Sequence, residues 1–190
     1  MYFQNSTNFE VLSTKHTSAL LKFETENRLW FEKFIAARNP DFYTHPGVTE
    51  HITECLQLMR QKSMYPALMV TNNELLGRFN LREIDHSRQS AMLGYRVAEK
   101  HKGKGVATKG VGKLLQISVQ KLGLNTIRAL VLDNNAASAR VLLKHGFECI
   151  RYTPEFREVN GKTYGCREYC WNATSRNTVS LEHHLHSHLT

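Results

Sequence analysis

The stretch His101-Lys-Gly-Lys-Gly-Val-Ala-Thr-Lys-Gly110 sets three lysines and three glycines between two apolar runs. The run before it, Ala91-Met-Leu-Gly-Tyr-Arg-Val97, reads as a strand. In the run after it, Val111, Leu114, Leu115, Ser118, Val119 and Leu122 follow the spacing of an amphipathic helix, and Gly123 supplies a C-terminal stop. A strand that enters a helix through a short glycine loop leaves the first backbone N–H groups of that helix free. Those groups and the helix dipole favour an anion, and Gly103 and Gly105 let it approach the backbone closely. A diphosphate suits such a cradle.

Two better-known phosphate motifs fail here. A Walker A loop needs Ser or Thr after Gly112-Lys113 and a glycine five residues before Gly112, where the chain has Leu114 and Ala107. A dinucleotide fingerprint needs a third glycine where Thr108 stands, and an acidic residue about twenty residues on that is missing. The charge is local as well. From Tyr95 to Asn125 there are seven lysines and arginines against the single acid Glu99, within a chain whose net charge is +8. A solvated basic helix face would account for the lysines and leave the glycines unexplained.

At 190 residues the chain can build one domain with a full core, expected over residues 8–172. Residues 1–7 are set aside as a tag or disordered N-terminus, and residues 173–190, with four histidines and no core pattern, as a flexible tail without a metal site. No apolar run nears the roughly 18 residues of a membrane span, and the N-terminus lacks the basic and apolar regions of a secretory signal. The four cysteines fit neither zinc spacing nor a disulfide framework, so reduced thiols and a cytoplasmic protein are expected.

Asn8 to Leu12 reads as a first strand, and residues 15–37 as two helices meeting near Thr25 to Asn27, with Leu20, Leu21, Phe23, Leu29, Trp30, Phe31, Phe34 and Ile35 on their apolar faces. Pro40 ends them, and Thr49 is expected to cap a helix to Lys62 with Ile52, Cys55, Leu56 and Met59 inside. A strand pair turns at Asn72-Asn73, and the strand that ends at the cationic loop follows. After the loop and its helix come the strand Thr126 to Leu132 and a short helix ending at Gly146. The strand Phe147 to Tyr152 and a separate hairpin turned by Asn160-Gly161, a type I′ signal, complete the order.

Strand Leu93 to Val97, loop Lys102 to Ala107 and the stretch Asp133 to Phe147 together resemble the acetyl-coenzyme A core of the GNAT superfamily of N-acetyltransferases, in its RimJ/RimL-like branch. The loop is similar to that family's [QR]-x-x-G-x-[GA], with Lys102 where Gln or Arg is usual. The likeness implies an α/β fold: a mixed, mostly antiparallel sheet splayed at the strand Leu93 to Val97, with helices on both faces. Residues 13–62 would form the acceptor wall and residues 91–147 the cofactor side. It further implies that Tyr95, Arg96 and Val97 pair through their backbone with the pantetheine arm. Lys102, Gly103, Lys104, Gly105, Val106 and Ala107 would wrap the pyrophosphate, with Thr108 at the helix start, and Asn135 would bond the pantetheine, although its position also suits a helix N-cap.

The family's usual tyrosine, seven residues after the asparagine, is Leu142 here, so the resemblance points to Ser138 as the proton donor to the departing thiolate. The base is open among Glu83, Asp85, His86 and Glu168. A protein α-amine, with a pKa of about 7.7 to 8.0, costs about 1 kcal/mol to deprotonate near pH 7, whereas a lysine amine at about 10.4 costs more than about 4. A protein N-terminal α-amine, of the ribosomal-protein type, is therefore the expected acceptor. The alternatives are a small amine such as a polyamine, an antibiotic or an aminoacyl nucleotide, which would need acids such as Glu83, Asp85, Glu155 and Glu158 to converge, and a non-catalytic nucleic-acid-binding module. Exposed aromatics and a base-reading motif are missing from the basic stretch, so neither nucleic acid nor membrane is an expected partner. The protein is expected as a monomer or homodimer.

Overall fold

Apolar residues run unbroken through Ala67, Leu68 and Met69 and pair at Leu75 and Leu76, so the sheet buries both faces and receives helices on each. The computed structural model describes residues 7–71 and 74–173; the N-terminal tag, the Asn72-Asn73 turn and the histidine tail expected from the sequence lie outside the described residues, Thr7 and Ala173 excepted. The elements run β1 Asn8–Val11, α1 Thr17–Glu26, α2 Arg28–Phe31, α3 His45–Arg60, β2 Tyr65–Val70, β3 Leu75–Asp85, β4 Ser90–Val97, α4 Val106–Gln120, β5 Thr126–Leu132, α5 Ala136–Lys144, β6 Glu148–Val159 and β7 Lys162–Asn172. They form one seven-stranded sheet in the order β1-β2-β3-β4-β5-β7-β6. Every pairing is antiparallel except that of β4 with β5.

The faces sort by residue parity. Tyr65, Ala67 and Met69 of β2 join Phe79, Leu81 and Leu93 in a core covered by Val111, Leu114 and Leu115 of α4 and Leu142 of α5. Leu68 points the other way, into a second core with Leu20 and Phe23 of α1, Phe31 of α2 and Val48 and Ile52 of α3. Both faces being buried explains why β2 reads as an unbroken apolar run.

β4 and β5 stay in register only at Ser90↔Thr126, Ala91↔Ile127 and Met92↔Arg128. β5 continues against β7 as far as Leu132↔Cys166, and β4 against β3 as far as Val97↔Gly77. Each strand is thus held by its other neighbour while the two part from each other beyond Met92 and Arg128. That is the splay expected from the sequence, and it opens the site.

Three local expectations are corrected. Thr44, not Thr49, caps α3: its hydroxyl accepts from Gly47 N at 3.2 Å, and Pro46 sits in the first turn, where a missing N–H costs nothing. Thr49 instead donates to His45 O within the helix. β6 is one strand from Glu148 to Val159 rather than a strand followed by a separate hairpin, because the register shift between Thr153 and Arg157 absorbs the irregularity at Glu155, whose φ is +49°. Leu29 is 78% and Val119 44% exposed, so neither belongs to the buried helix face predicted for it. The break at Asn27 resets the phase of α2, and Val119 falls on the margin of the α4 stripe. The Asn160-Gly161 turn has φ of +52° and +73°, as a type I′ hairpin requires.

Candidate active site

The parted strands border a cleft of about 960 Å³, lined by Leu93 to Val97 on one side and Ala129 to Leu132 on the other. At one end lies the glycine loop. Gly103 and Gly105 have φ of +74° and +77°, a left-handed backbone that side chains resist, and a Cβ at either would meet nothing within 4 Å. Gly105 is the N-cap of α4 and no side chain caps the helix, so the first-turn N–H groups at Val106, Ala107 and Thr108 remain available. Arg140, Val141 and Lys144 of α5 line the same end. Gly110 serves packing instead: a Cβ there would lie 2.1 Å from Phe79 Cζ, so only glycine lets α4 settle on that ring.

The loop is held from behind. His101 Nε2 contacts Glu74 Oε1 at 2.5 Å, and Lys100 pairs with the same carboxylate. Glu99 N donates to Asn27 Oδ1 at 2.8 Å, which ties the loop to the α1–α2 junction. Lys102 turns its ammonium over the Trp30 ring, 5.0 Å from the centroid, while Trp30 Nε1 donates to the Val97 carbonyl at 3.2 Å. Lys104 is exposed and stands outside the cleft wall, unlike Ser138 and every other residue predicted to bind the cofactor. It lies between the two left-handed glycines, on the outer side of the turn that presents the backbone.

Above the splay, Asn135 Oδ1 accepts from Ser138 N at 3.1 Å as the N-cap of α5, so the capping alternative is realised. Its Nδ2 has no partner among the described residues. Tyr95 OH lies 2.9 Å from Ser138 Oγ, and the phenol stacks on Phe79 with centroids 5.9 Å apart. Burial pushes Tyr95 up to about 12 against the opposing bond to Ser138, so the phenol stays protonated at neutral pH. A phenol therefore does reach the site, from β4 rather than from the α5 position that holds Leu142.

On the face toward α1 and α3 the cleft meets a charged cluster absent from the sequence reading. Glu24 of α1 is 0% exposed and receives Arg78 Nη1 at 2.5 Å and Arg96 Nη1 at 3.1 Å. Burial would raise its carboxyl, but Arg78 and Arg96 outweigh burial and hold it below its ordinary 4.5. Arg78 Nη2 lies 2.7 Å from His51 Nε2; arginine has only donors, so this nitrogen accepts. Burial, then Arg78 and Arg38, hold His51 down to about 3, and its imidazole is neutral. The backbone of Arg96 lies on the parted strand β4, but its side chain belongs to this cluster. A carboxylate on the Leu20-Phe23 stripe of a helix, and an arginine inside an apolar strand, were the two signals that could have revealed the pair.

None of the four base candidates lines the cleft. Asp85 is occupied by the amides of Ser87 and Arg88, and Glu168 lies between Arg128 and Arg151. Glu155 and Glu158 do not converge on the cleft either. Among the described residues no cluster of metal-ligating groups occurs, and no helix is long and apolar enough to cross a membrane. Cys55, Cys149, Cys166 and Cys170 are free thiols.

A mixed sheet parted over a cleft, with an open glycine loop feeding an uncapped helix, defines the coenzyme A-dependent N-acetyltransferases. The chain belongs to that class through the acetyltransferase (GNAT) domain family, which matches residues 10–148. Probable N-acetyltransferase YjcK of Bacillus subtilis is 34% identical over 67% of this chain and 72% of its own length. The ribosomal-protein-S5-alanine acetyltransferase of Vibrio fischeri superposes with a TM-score of 0.83 at 18% identity, covering 91% of this chain and 96% of that one. Spermidine N-acetyltransferase of Vibrio cholerae, solved with coenzyme A and spermine, gives 0.76 at 18% identity over 88% and 96% of the two chains. The protein is an acetyl-coenzyme A-dependent N-acetyltransferase, and the open loop and free first turn of α4 fit the cofactor's diphosphate.

Proposed function

We propose that this enzyme acetylates the N-terminal α-amine of a protein, of the ribosomal-protein type. The likeness to the S5-alanine acetyltransferase supports that reading, but the fold is shared equally with a spermidine enzyme, so the decision rests on the cleft. The observation that carries it is the charge of the wall: among the described residues every charged side chain lining the cleft is a lysine or arginine. A polycationic acceptor would be repelled there. No carboxylate lines the cleft to strip a proton from a lysine-like amine, Glu24 being fully buried and paired with Arg78 and Arg96, whereas an α-amine sheds its proton to water near neutral pH at about 1 kcal/mol.

When bound, acetyl-coenzyme A supplies the thioester. In the transfer one N–C bond forms and one C–S bond breaks, a proton leaves the nitrogen to water, and a proton must reach the sulfur. We assign that last task to Ser138, with Tyr95, 2.9 Å from its Oγ, as positioning partner. A phenol that stays protonated can donate to Ser138 Oγ, which leaves the serine hydrogen free to point at the sulfur, and Ser138 recovers its proton from solvent. Backbone groups of Tyr95, Arg96 and Val97, together with Asn135 Nδ2, would hold the pantetheine. Lys102 to Ala107 and Thr108 would cradle the diphosphate, with Lys104 contributing only long-range charge.

The test is incubation with acetyl-coenzyme A and a panel of N-terminal peptides, polyamines and aminoglycosides, read by mass spectrometry. Acetylation of peptides at the α-amine is the expected result. Acetylation of polyamines or aminoglycosides with peptides untouched would overturn the reading.

A further inference from the structure

Apart from Arg82, which pairs with Glu83, and Arg157, which lies over the Phe156 ring, the cations lining the cleft fall in two groups. Lys102, Arg140 and Lys144 lie toward the glycine loop and α5, where the cofactor phosphates account for them. Arg38, Arg78 and Arg96 lie on the opposite face of the sheet, toward α1 and α3. Strand alternation separates the two groups: Tyr95 reaches Ser138 on the α5 side, and its neighbour Arg96 reaches Glu24 on the α1 side.

The second group has three guanidinium groups around the single carboxylate of Glu24. Arg78, 4% exposed, is buried against Glu24 and His51, one terminal nitrogen on each. Arg96 uses one nitrogen on Glu24, and its side chain remains 23% exposed toward the cleft. Arg38, half-buried on the cleft wall, makes no direct ion pair with a carboxylate among the described residues and only shares the attraction of Glu24 with Arg78 and Arg96; its guanidinium carbon lies 4.0 Å from the centre of the Phe42 ring. Three partly desolvated cations that share one carboxylate carry an excess of positive charge, which is unfavourable unless a ligand offsets it. The floor beside them is open, since a Cβ at Gly94 would meet nothing within 4 Å. His51 is depressed first by burial and then by Arg78 and Arg38, in keeping with an excess of positive charge here.

We propose that Arg38 and Arg96 form an anion subsite for the acceptor, so that the amine acetylated by this enzyme carries a carboxylate or a phosphate. The inference rests on the assignment of this cleft as the acceptor site and narrows it. For a protein N-terminus the anion is an Asp or Glu side chain within the first few residues; for a small molecule it is a phosphate or carboxylate on the amine itself. Guanidinium groups recognise either through paired N–H donors.

The experiment measures kcat/KM with acetyl-coenzyme A for peptides that share one N-terminal serine and differ at the next two positions, bearing Asp and Glu, Asn and Gln, or Lys. O-phosphoethanolamine, ethanolamine and spermidine are run beside them. Wild type should prefer the acidic peptide over the lysine peptide by at least tenfold. Arg38→Gln should reduce that preference to within about threefold, Arg38→Lys should retain part of it, and the Kd for acetyl-coenzyme A, which also checks folding, should not move. If O-phosphoethanolamine is acetylated in an Arg38-dependent way and no peptide is, the anion subsite stands and the protein-N-terminus reading falls. Equal rates on all three peptides overturn the subsite and leave that reading intact. A preference for the lysine peptide or spermidine, an acidic preference unchanged in Arg38→Gln, or no acetylation of any anionic amine overturns the subsite.

Discussion

The two ends of the cleft are built by opposite means. The cofactor end is a local device: a loop and one helix start, contiguous from Lys102 to Thr108, that present backbone N–H groups and leave room by omitting side chains. The proposed acceptor end is assembled from Glu24, Arg38, His51, Arg78 and Arg96, drawn from α1, the segment after α2, α3, β3 and β4, and is built entirely of side chains. A contiguous backbone device tolerates change outside its few glycines. A convergent side-chain cluster fails when one buried member is lost.

The largest expected effect follows from that difference. Glu24→Gln leaves Arg78 and Arg96 without their shared counter-charge and should destabilise the fold by about 3 to 5 kcal/mol, measured by urea unfolding. Because the Glu24 carboxyl is held below 4.5 in the folded state, the stability it contributes is fully present above its unfolded value and is lost as pH falls through the folded one. The variant should therefore also flatten the acid limb of the stability curve. Unfolding within about 0.5 kcal/mol of wild type would show that the cluster contributes no structure.

Between the two ends stands Ser138. Ser138→Ala should lower kcat by about a hundredfold, with acetyl-coenzyme A affinity nearly intact, since general-acid help is typically worth about 10² to 10⁴. The defect should shrink as pH rises and an unassisted thiolate leaves more easily. A defect wholly in cofactor affinity would reduce Ser138 to its place in the first turn of α5.

The same contrast governs what could be read from the sequence. The element order and the glycine loop were legible because each depends on residues adjacent in the chain: the 3.6-residue period of α4, the alternation of β4, the glycines between them; the splay, which needs β3 and β7 to draw β4 and β5 apart, came only with the family resemblance. The cluster around Glu24 was not, because pairing Glu24 with Arg78 and Arg96 requires α1 to be laid on the β3–β4 pair, which no local pattern specifies. Asn135 shows the middle case. Its N-cap bond to Ser138 is local and was foreseen, whereas the meeting of Ser138 with Tyr95, 43 residues earlier, was hidden. Lys104 shows the limit of motif reading, since a residue inside the loop pattern need not face the cleft.

The most direct test of the two-ended account is one calorimetric titration of coenzyme A into three variants, set against wild type. Gly105→Val places a branched side chain at a left-handed position in the cradle and should weaken binding at least tenfold, about 1.4 kcal/mol. Lys104→Glu reverses a solvated charge and should cost less than about threefold. Arg38→Gln touches only the acceptor end and should leave Kd unchanged. Binding that is unaltered in a folded Gly105→Val protein, or that falls as far in Arg38→Gln as in Gly105→Val, would contradict the division of the cleft into a backbone-built cofactor end and a side-chain-built acceptor end.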